Sequence, residues 1–318
     1  MDLTLIIPVY NEEQNLVPLS DAVRKSIEPL KLDWEIIFVD DGSIDHSVEI
    51  LKGFEQEDQA HIRVVELRRN YGQTAAIAAG IDRAQGDIVI LLDADLQNDP
   101  ADIPLLLAKL DEGYDVVSGW RKDRKDNYLT RTLPSNLANG LISWVTGLHL
   151  HDYGCTLKAY RREFLGSFHL YGEMHRFIPV YAEAAGAKVT EVVVHHNPRK
   201  HGKSNYGLDR AVKVVLDLFT VKFLMSYSAK PMRLFGGVGL GLMASSLVVF
   251  AFLVVRKFLL FTSILESPLF QISIVVFILG FQSLLMGLIA ELLIRTYHEA
   301  QGKSIYTVRT VVNDKTKK

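Results

Sequence analysis

The chain of 318 residues has a single cysteine, Cys155, so no internal disulfide can form and a reducing compartment is indicated. Its charges nearly cancel, at −2, which leaves it without the basic excess of a nucleic-acid binder. The first residues, Met1-Asp2-Leu3, hold no basic segment and no cleavage signal, so the part that follows is expected to stay in the cytoplasm. No G-x-G-x-x-G follows the first apolar run and no G-x-x-x-x-G-K-[ST] occurs anywhere, which removes the usual support for dinucleotide and P-loop sites. What the chain does have is apolar content: 48% hydrophobic against 23% charged fills one large domain and leaves a smaller unit over.

The stretch Ile88-Val89-Ile90-Leu91-Leu92-Asp93-Ala94-Asp95-Leu96-Gln97-Asn98-Asp99-Pro100 organises the rest. Five aliphatic residues in a row predict a strand buried on both faces, and two carboxylates one residue apart follow at its carboxyl end, where open parallel sheets bind ligands. On an extended chain Asp93, Asp95 and Gln97 share one side, so they are the candidate ligands of one Mg²⁺ or Mn²⁺. The alternative role, capping the helix expected after Pro100, is already filled by Asp99.

Aliphatic runs alternate with amphipathic segments through the first 120 residues, which predicts repeated strand-helix units, right-handed crossovers and a three-layer α/β sandwich with a mostly parallel sheet. Strands are expected at Leu3–Pro8, Trp34–Val39, Ile62–Leu67, Asp87–Leu92 and Tyr114–Ser118, with helices at Glu12–Lys25, Asp45–Phe54, Gly72–Arg83 and Ala101–Asp111. Pro8-Val9-Tyr10-Asn11-Glu12 closes the first strand and Val39-Asp40-Asp41-Gly42-Ser43-Ile44-Asp45 the second, on the same sheet edge as Asp93. A base could stack near Tyr10 and Pro8 there, with Asp41 and Glu12 accepting its N–H or ribose hydroxyl groups. The same residues also suit plain turn and cap chemistry.

Taken together, Pro-Val-Tyr-Asn-Glu, Val-Asp-Asp-Gly-Ser-x-Asp, Leu-Arg-Arg-Asn-Tyr-Gly-Gln and Asp-Ala-Asp-Leu-Gln-Asn-Asp-Pro, in this order, resemble the family 2 glycosyltransferases with the A-type nucleotide-sugar fold. The likeness is to their polyprenyl-phosphate branch, which includes dolichol-phosphate mannose synthases and bactoprenol glucosyltransferases. It implies that Pro8, Tyr10, Glu12, Val39 and Asp41 hold the nucleotide of the donor, that Asp93, Asp95 and Gln97 hold the metal at its diphosphate, and that Arg121 is a donor-site arginine. It implies further that arginines of the cationic run Arg121–Arg131, Arg124 and Arg131 among them, bind the lipid phosphate. His151-Asp152-Tyr153-Gly154-Cys155-Thr156-Leu157-Lys158-Ala159-Tyr160-Arg161 resembles the acceptor-side motif, with Asp152 where the family has the carboxylate usually called the base. In Asn197–Gly207, Arg199 matches an arginine that contacts phosphate, and Lys203 stands in for a lysine that relatives carry where this chain has Asn205. Processive synthases add Gln-x-x-Arg-Trp, which is absent here, so a single transfer is expected.

Other features stay with simpler readings. Leu133-Pro134 opens an apolar helix, through Leu137, Leu141, Ile142, Trp144 and Val145, that is either core or lipid-facing. Cys155 reads as a small packed residue. His195 and His196 are adjacent, and neighbours on a strand point to opposite faces, so they are poor joint ligands.

Beyond residue 207 the composition changes. Leu208–Met225 alternates Asp209, Arg210, Lys213, Asp217 and Thr220 with Val212, Val215, Leu216, Phe219, Phe223 and Leu224, the pattern of an amphipathic helix lying on a membrane. Leu234–Val255 and Leu269–Ala290 are then long and apolar enough to span it. The expected domains are 1–207, catalytic; 208–231, juxtamembrane; 232–295, a two-span hairpin; and 296–318, a tail. Gly237, Gly239 and Gly241 suit close helix packing and hint at a homo-oligomer. Lys222, Lys230, Arg233, Arg295, Lys303 and Arg309 outside the hairpin outnumber Arg256 and Lys257 in its loop, which places both termini in the cytoplasm.

A nucleotide-sugar site tethered to a membrane makes sense if one substrate is a lipid. The expected reaction is inverting transfer of one sugar, glucose from UDP-glucose, to polyprenyl (undecaprenyl) phosphate. Mannosyl or modified-pentose transfer is the alternative within enzymes, and a non-catalytic membrane-anchored binding protein the alternative outside them. A phosphate monoester is largely ionised at neutral pH, with a second pKa of about 6, so Asp152 is expected to orient the sugar or a cation more than to act as an obligatory base.

Overall fold

The computed structural model describes residues 1–122, 133–166, 174–198, 218, 231–260 and 263–301. They fall into two compact units, Met1–Val221 and Lys222–Lys318.

In the first unit the aliphatic runs become strands because both of their faces are covered. Strand β1 (Leu3–Val9) sends Leu3, Leu5, Ile7 and Val9 to one side of the sheet and Ile6 to the other; β2 (Trp34–Asp40) divides Ile36 and Phe38 from Ile37 and Val39 in the same way. On the first side lie α1 (Glu13–Ile27), α2 (Ser47–Glu57) and α4 (Ile103–Asp111), through Leu16, Leu19, Val23, Leu51, Leu106 and Leu110. On the second lie α3 (Gln73–Ile81) and α6 (Ile178–Ala184), through Ala76, Ile77, Ile178 and Ala182. This is the three-layer sandwich expected, and each expected strand and helix is present with its ends shifted by a few residues at most.

The sheet has seven strands in the order β3-β2-β1-β4-β6-β5-β7, with β3 at Ile62–Glu66, β4 at Ile88–Leu91, β5 at Val116–Trp120, β6 at Lys158–Arg161 and β7 at Val189–Val193. All pairings are parallel except those of β6, which runs antiparallel to both β4 and β5. Strands β6 and β7 are not among the five expected, and the position of β6 has a consequence for chemistry. Lys158 lies opposite Leu91 of β4 and opposite Ser118 of β5, so the loop entering β6 passes beside the ends of both. Asp152 thereby comes to the same sheet edge as Asp93 and Arg121.

One expectation is corrected. The chain does not continue extended through Asp93, Asp95 and Gln97: β4 ends at Leu91, residues 94 and 95 form a turn, and Leu96 has φ 58°. The turn is closed by the Asp95 carboxylate, which accepts the Gln97 N–H at 3.1 Å. In the second unit the close helix packing expected of its glycines is found at one of the three. Here α7 (Pro231–Leu260) and α8 (Pro268–Gln301), both long and apolar enough to cross a membrane, pack on each other as a hairpin. Gly239 is consumed inside that hairpin: a Cβ there would stand 2.6 Å from the Gly280 carbonyl oxygen, whereas Gly237 and Gly241 meet nothing within 4 Å. Ser246 and Ser283 lock the same contact by donating to the carbonyls of Ser273 (2.6 Å) and Phe235 (2.8 Å). Helix α5 (Leu133–Thr146) belongs to the first unit, with Ile142 buried and Leu141 and Trp144 exposed. The amphipathic stretch Leu208–Met225 lies outside the described residues, apart from the buried helical Leu218.

Candidate active site

The sheet edge that carries the expected donor residues is built from two loops that tie each other down. Asn11, with φ 55°, accepts the Ile44 N–H at 2.8 Å through its side chain while its own N–H goes to Ser43 Oγ at 2.9 Å. Ser47 Oγ accepts the Glu12 N–H at 3.0 Å, Asp45 the Glu13 N–H at 3.2 Å, and Glu13 returns a carboxylate to the His46 N–H at 3.0 Å. The first N–H of α1 is thus capped from the neighbouring loop, and the two loops after β1 and β2 are cross-linked by side-chain hydrogen bonds. Tyr10 stands 41% exposed at its rim. Glu12 is bonded to Asn15 Nδ2 at 2.5 Å. Val39 is wholly buried in the core, so its side chain faces no ligand.

The adjacent acids Asp40 and Asp41 divide the labour. Asp40 makes the turn, with one oxygen accepting the N–H groups of Gly42 and Ser43 at 3.0 Å each. Gly42 takes φ +72°, and a Cβ there would lie 2.5 Å from the Arg69 carbonyl carbon, so only glycine fits. Asp41, almost fully buried, reaches the loop before α3, accepting the N–H of Tyr71 at 2.7 Å and of Gly72 at 2.8 Å. That fixes Gln73, whose Nε2 donates to Asp93 at 2.7 Å. The residue expected to read the base is therefore wired to a residue expected to hold the metal, through the glutamine that ends the Leu-Arg-Arg-Asn-Tyr-Gly-Gln motif.

Asp93 is half-buried and Asp95 buried. Burial, and then the negative charge of Asp95, push the Asp93 carboxyl up to about 6, against the opposing pull of a Thr156 hydrogen bond and the charges of Arg121 and Lys158. Two carboxylates close enough to oppose each other's ionisation suit a hard divalent cation. Among the described residues no group of three His, Cys, Asp or Glu side chains surrounds such a site. Two carboxylates completed by substrate phosphate oxygens and water is the usual arrangement for Mg²⁺, so the donor set fits; Gln97 is in the turn beside them.

Across from these carboxylates, Arg121 and Asp152 form a buried bidentate pair, Nε to Oδ2 at 2.7 Å and Nη2 to Oδ1 at 3.0 Å, with side chains 8% and 3% exposed. Asp152 also accepts the Gly154 N–H at 3.1 Å. The expected donor-site arginine and the expected base are thus partners. A cleft of about 560 Å³ opens beside them, lined also by Trp120, Lys122, His149, Trp144 of α5 and His151. Lys158, 2% exposed, donates to the Tyr153 carbonyl at 2.9 Å, and burial lowers its ammonium to about 8. Cys155, buried and with its thiol pushed up to about 11 by desolvation, is packed, as its sequence context suggested.

The segment after β7 docks on the turn that holds Asp95 and Gln97. Asn98 bridges to His196, the Asn197 N–H donates to the Gln97 carbonyl at 2.8 Å, and His195 grips Asp102 through its N–H (2.6 Å) and Nδ1 (2.8 Å). His195 is 81% exposed and His196 buried, the opposite orientations expected of neighbours. Arg199 and Lys203 follow Asn197 in the sequence and, like Arg124 and Arg131, lie outside the described residues.

The sequence profile of "Glycosyl transferase family 2" matches residues 4–168, which contain every motif of this site up to Asp152 and Lys158. The chain belongs to that family. A relative of this glycosyltransferase from Rhizobium johnstonii, named dodecaprenyl-phosphate galacturonate synthase, is 40% identical over 99% of the chain and 94% of its own length. One from Salmonella choleraesuis, named undecaprenyl-phosphate 4-deoxy-4-formamido-L-arabinose transferase, is 37% identical over 98% and 93%. Among solved structures, S. aureus TarS 1–349 in complex with UDP-GlcNAc is similar with a TM-score of 0.51 at 16% identity, over 98% of this chain and 95% of that one, a likeness of fold alone.

Proposed function

We propose that this family 2 glycosyltransferase transfers one sugar, with inversion, from a nucleotide-sugar donor to polyprenyl phosphate at the cytoplasmic face of a membrane. The observation that carries the reading is similarity over nearly the whole chain, catalytic unit and apolar helices together, to relatives named for that lipid chemistry. Their names speak of a hexuronate and a modified pentose, which favours a sugar of that sort over the glucose expected from the two-span layout and over mannose. The hydrogen-bonded cradle around Tyr10, Glu12 and Asp41 suits the nucleotide, and Asp93 and Asp95, with Gln97, are the residues to hold Mg²⁺ or Mn²⁺. The metal, when bound, counters negative charge on the departing diphosphate. Arg121, fixed by Asp152, offers a cation at the same edge, and Arg124, Arg131, Arg199 and Lys203 are the candidates for the acceptor phosphate. A binding protein without turnover would have no use for the paired carboxylates and the buried ion pair facing them. In the same reading both termini are cytoplasmic.

The test is to incubate the purified full chain with undecaprenyl phosphate and a panel of UDP- and GDP-linked hexoses, hexuronates and 4-amino or 4-formamido pentoses, and to weigh the lipid product. One donor class is expected to give a monoglycosyl phospholipid. Transfer from none of them to the lipid, by protein that still binds nucleotide, would sink the reading.

A further inference from the structure

Trp120 and Arg121 follow one another at the end of β5, and His151 and Asp152 follow one another in the loop before β6. These two segments pair residue for residue. The rings of Trp120 and His151 stack, with centroids 4.1 Å apart and planes 16° from parallel, and the next residue of each makes the bidentate Arg121–Asp152 pair. His151 is then held from two further elements. Glu191, in the middle of β7, accepts the His151 N–H at 2.8 Å with one carboxylate oxygen and takes ring Nδ1 with the other. Asn139 of α5 donates its Nδ2 to the His151 carbonyl at 2.8 Å. An imidazole that is 64% exposed contributes little to the core, yet its ring, its N–H and its carbonyl are all gripped.

We propose that Trp120, His151 and Glu191 are positioning residues that set where Arg121 and Asp152 stand relative to Asp93 and Asp95. The need follows from the topology. Residues 152–157 belong to no strand and β6 is four residues long, so the sheet ladder does not define the register of Asp152. The contact of the Arg121 main-chain N–H with Asp152 is long, at 3.4 Å, and the rest of the pair runs through a flexible arginine side chain, so the pair by itself sets the position of Asp152 only loosely. The ring stack anchors the loop to β5, and Glu191 anchors it to β7, which is itself in register with β5 through Trp120 and Val193. Holding a charged pair to within a fraction of an ångström matters because a misplacement of about 1 Å can cost on the order of 100-fold in rate. This inference rests on the proposed function, in that Arg121 and Asp152 must belong to the active site.

The experiment uses the full chain in detergent with polyprenyl phosphate and whichever donor is active. His151→Ala is expected to lower kcat by roughly 10- to 100-fold, with donor KM and the melting temperature close to those of the unaltered chain. His151→Phe restores the stack without any nitrogen, and is expected to recover most of that loss; Glu191→Gln, which keeps one acceptor, falls between them. A His151→Phe variant as slow as His151→Ala would overturn the proposal, because the ring stack on Trp120 would then hold nothing in place. So would a normal kcat in His151→Ala, or a loss that tracks melting temperature across the set. Arg121→Met, run alongside, separates the two levels: full activity there removes the pair from the active site and with it the proposed site, whereas an inactive Arg121→Met beside a normal His151→Ala removes only the positioning role.

Discussion

Replacing Asp152 with asparagine probes the buried pair directly. Arg121 cannot shed its proton, and both side chains lie under 10% exposed, so the variant leaves a guanidinium in the interior with a neutral partner. Breaking a buried pair from one side costs about 3–5 kcal/mol; asparagine keeps one oxygen to accept an N–H, which points to the lower figure. For a folding unit the size of Met1–Val221, each kcal/mol moves the melting temperature by about 2–4 °C, so a fall of roughly 6–12 °C is expected in thermal scans of the full chain. Turnover should fall as well, because Arg121 loses its orientation, and an inactive Asp152→Asn is therefore no proof of a general base. The double variant Arg121→Met with Asp152→Leu makes the distinction. Exchanging both charges for apolar groups of similar size is often neutral or stabilising, so its melting temperature should return toward that of the unaltered chain while activity stays lost. Asp152→Asn melting within about 2 °C of the unaltered chain would refute the reasoning, and a fully active Asp152→Asn would deny the pair any part in transfer.

Asp95→Asn keeps the oxygen that closes the turn at Gln97, so it should fold normally and lose transfer, and EDTA should abolish the activity of the unaltered chain until Mn²⁺ or Mg²⁺ is added back. Gly42→Ala combines a φ of +72° with a Cβ 2.5 Å from the Arg69 backbone, and should cost at least about 1–3 kcal/mol in thermal unfolding and weaken nucleotide binding by displacing the loop that Asp41 holds. Asp102 raises the pKa of His195 above 6.5, so this contact stabilises the fold below that pH and fades as pH climbs through the raised value; the melting-temperature gap between the unaltered chain and His195→Gln should shrink from pH 6 to pH 9, and a gap that widened would contradict it. A chain ending at Tyr227 retains all seven strands and Leu218, and should be soluble and bind nucleotide; failure to fold would make the apolar helices part of its core.

What could be read in the sequence was whatever is local and repeated. Leu3–Val9 and Trp34–Asp40 announce themselves because a parallel strand covered on both faces needs an unbroken aliphatic run. Strand β6 does not, since Lys158-Ala159-Tyr160-Arg161 is short and charged at both ends, and its place between β4 and β5 comes from pairing across distant segments. The division between Asp40 and Asp41 was equally hidden: two identical side chains in a row take a local turn and a contact 30 residues away according to which way each points. Asp93, Asp95 and Gln97 would share one side only if the strand ran on past Leu91, and the Asp95 turn ends it sooner. Of three glycines with the same apparent use, only Gly239 faces its partner helix, because 3.6-residue periodicity turns Gly237 and Gly241 outward.

The pairing of Asp152 with Arg121 bears on the kind of acceptor the site can serve. A hydroxyl acceptor must lose a proton as it attacks, and a carboxylate that takes that proton contributes roughly 10²–10⁴ in rate only if an oxygen is open to it. Here both oxygens of Asp152 face the guanidinium, and one also accepts the Gly154 N–H, so proton abstraction would compete with the bonds that hold Arg121. A phosphate monoester removes the conflict. With a second pKa of about 6 it arrives largely as the dianion at neutral pH, and the demand on the protein shifts from taking a proton to offering positive charge to two phosphorylated groups at once. A carboxylate used to fix an arginine answers that demand. On the proposed reading, the rate should therefore rise with pH along the ionisation of the lipid phosphate and level off above about pH 7, with no further limb from Asp152; a profile that kept rising for an acceptor already ionised would return the proton to the centre of the mechanism.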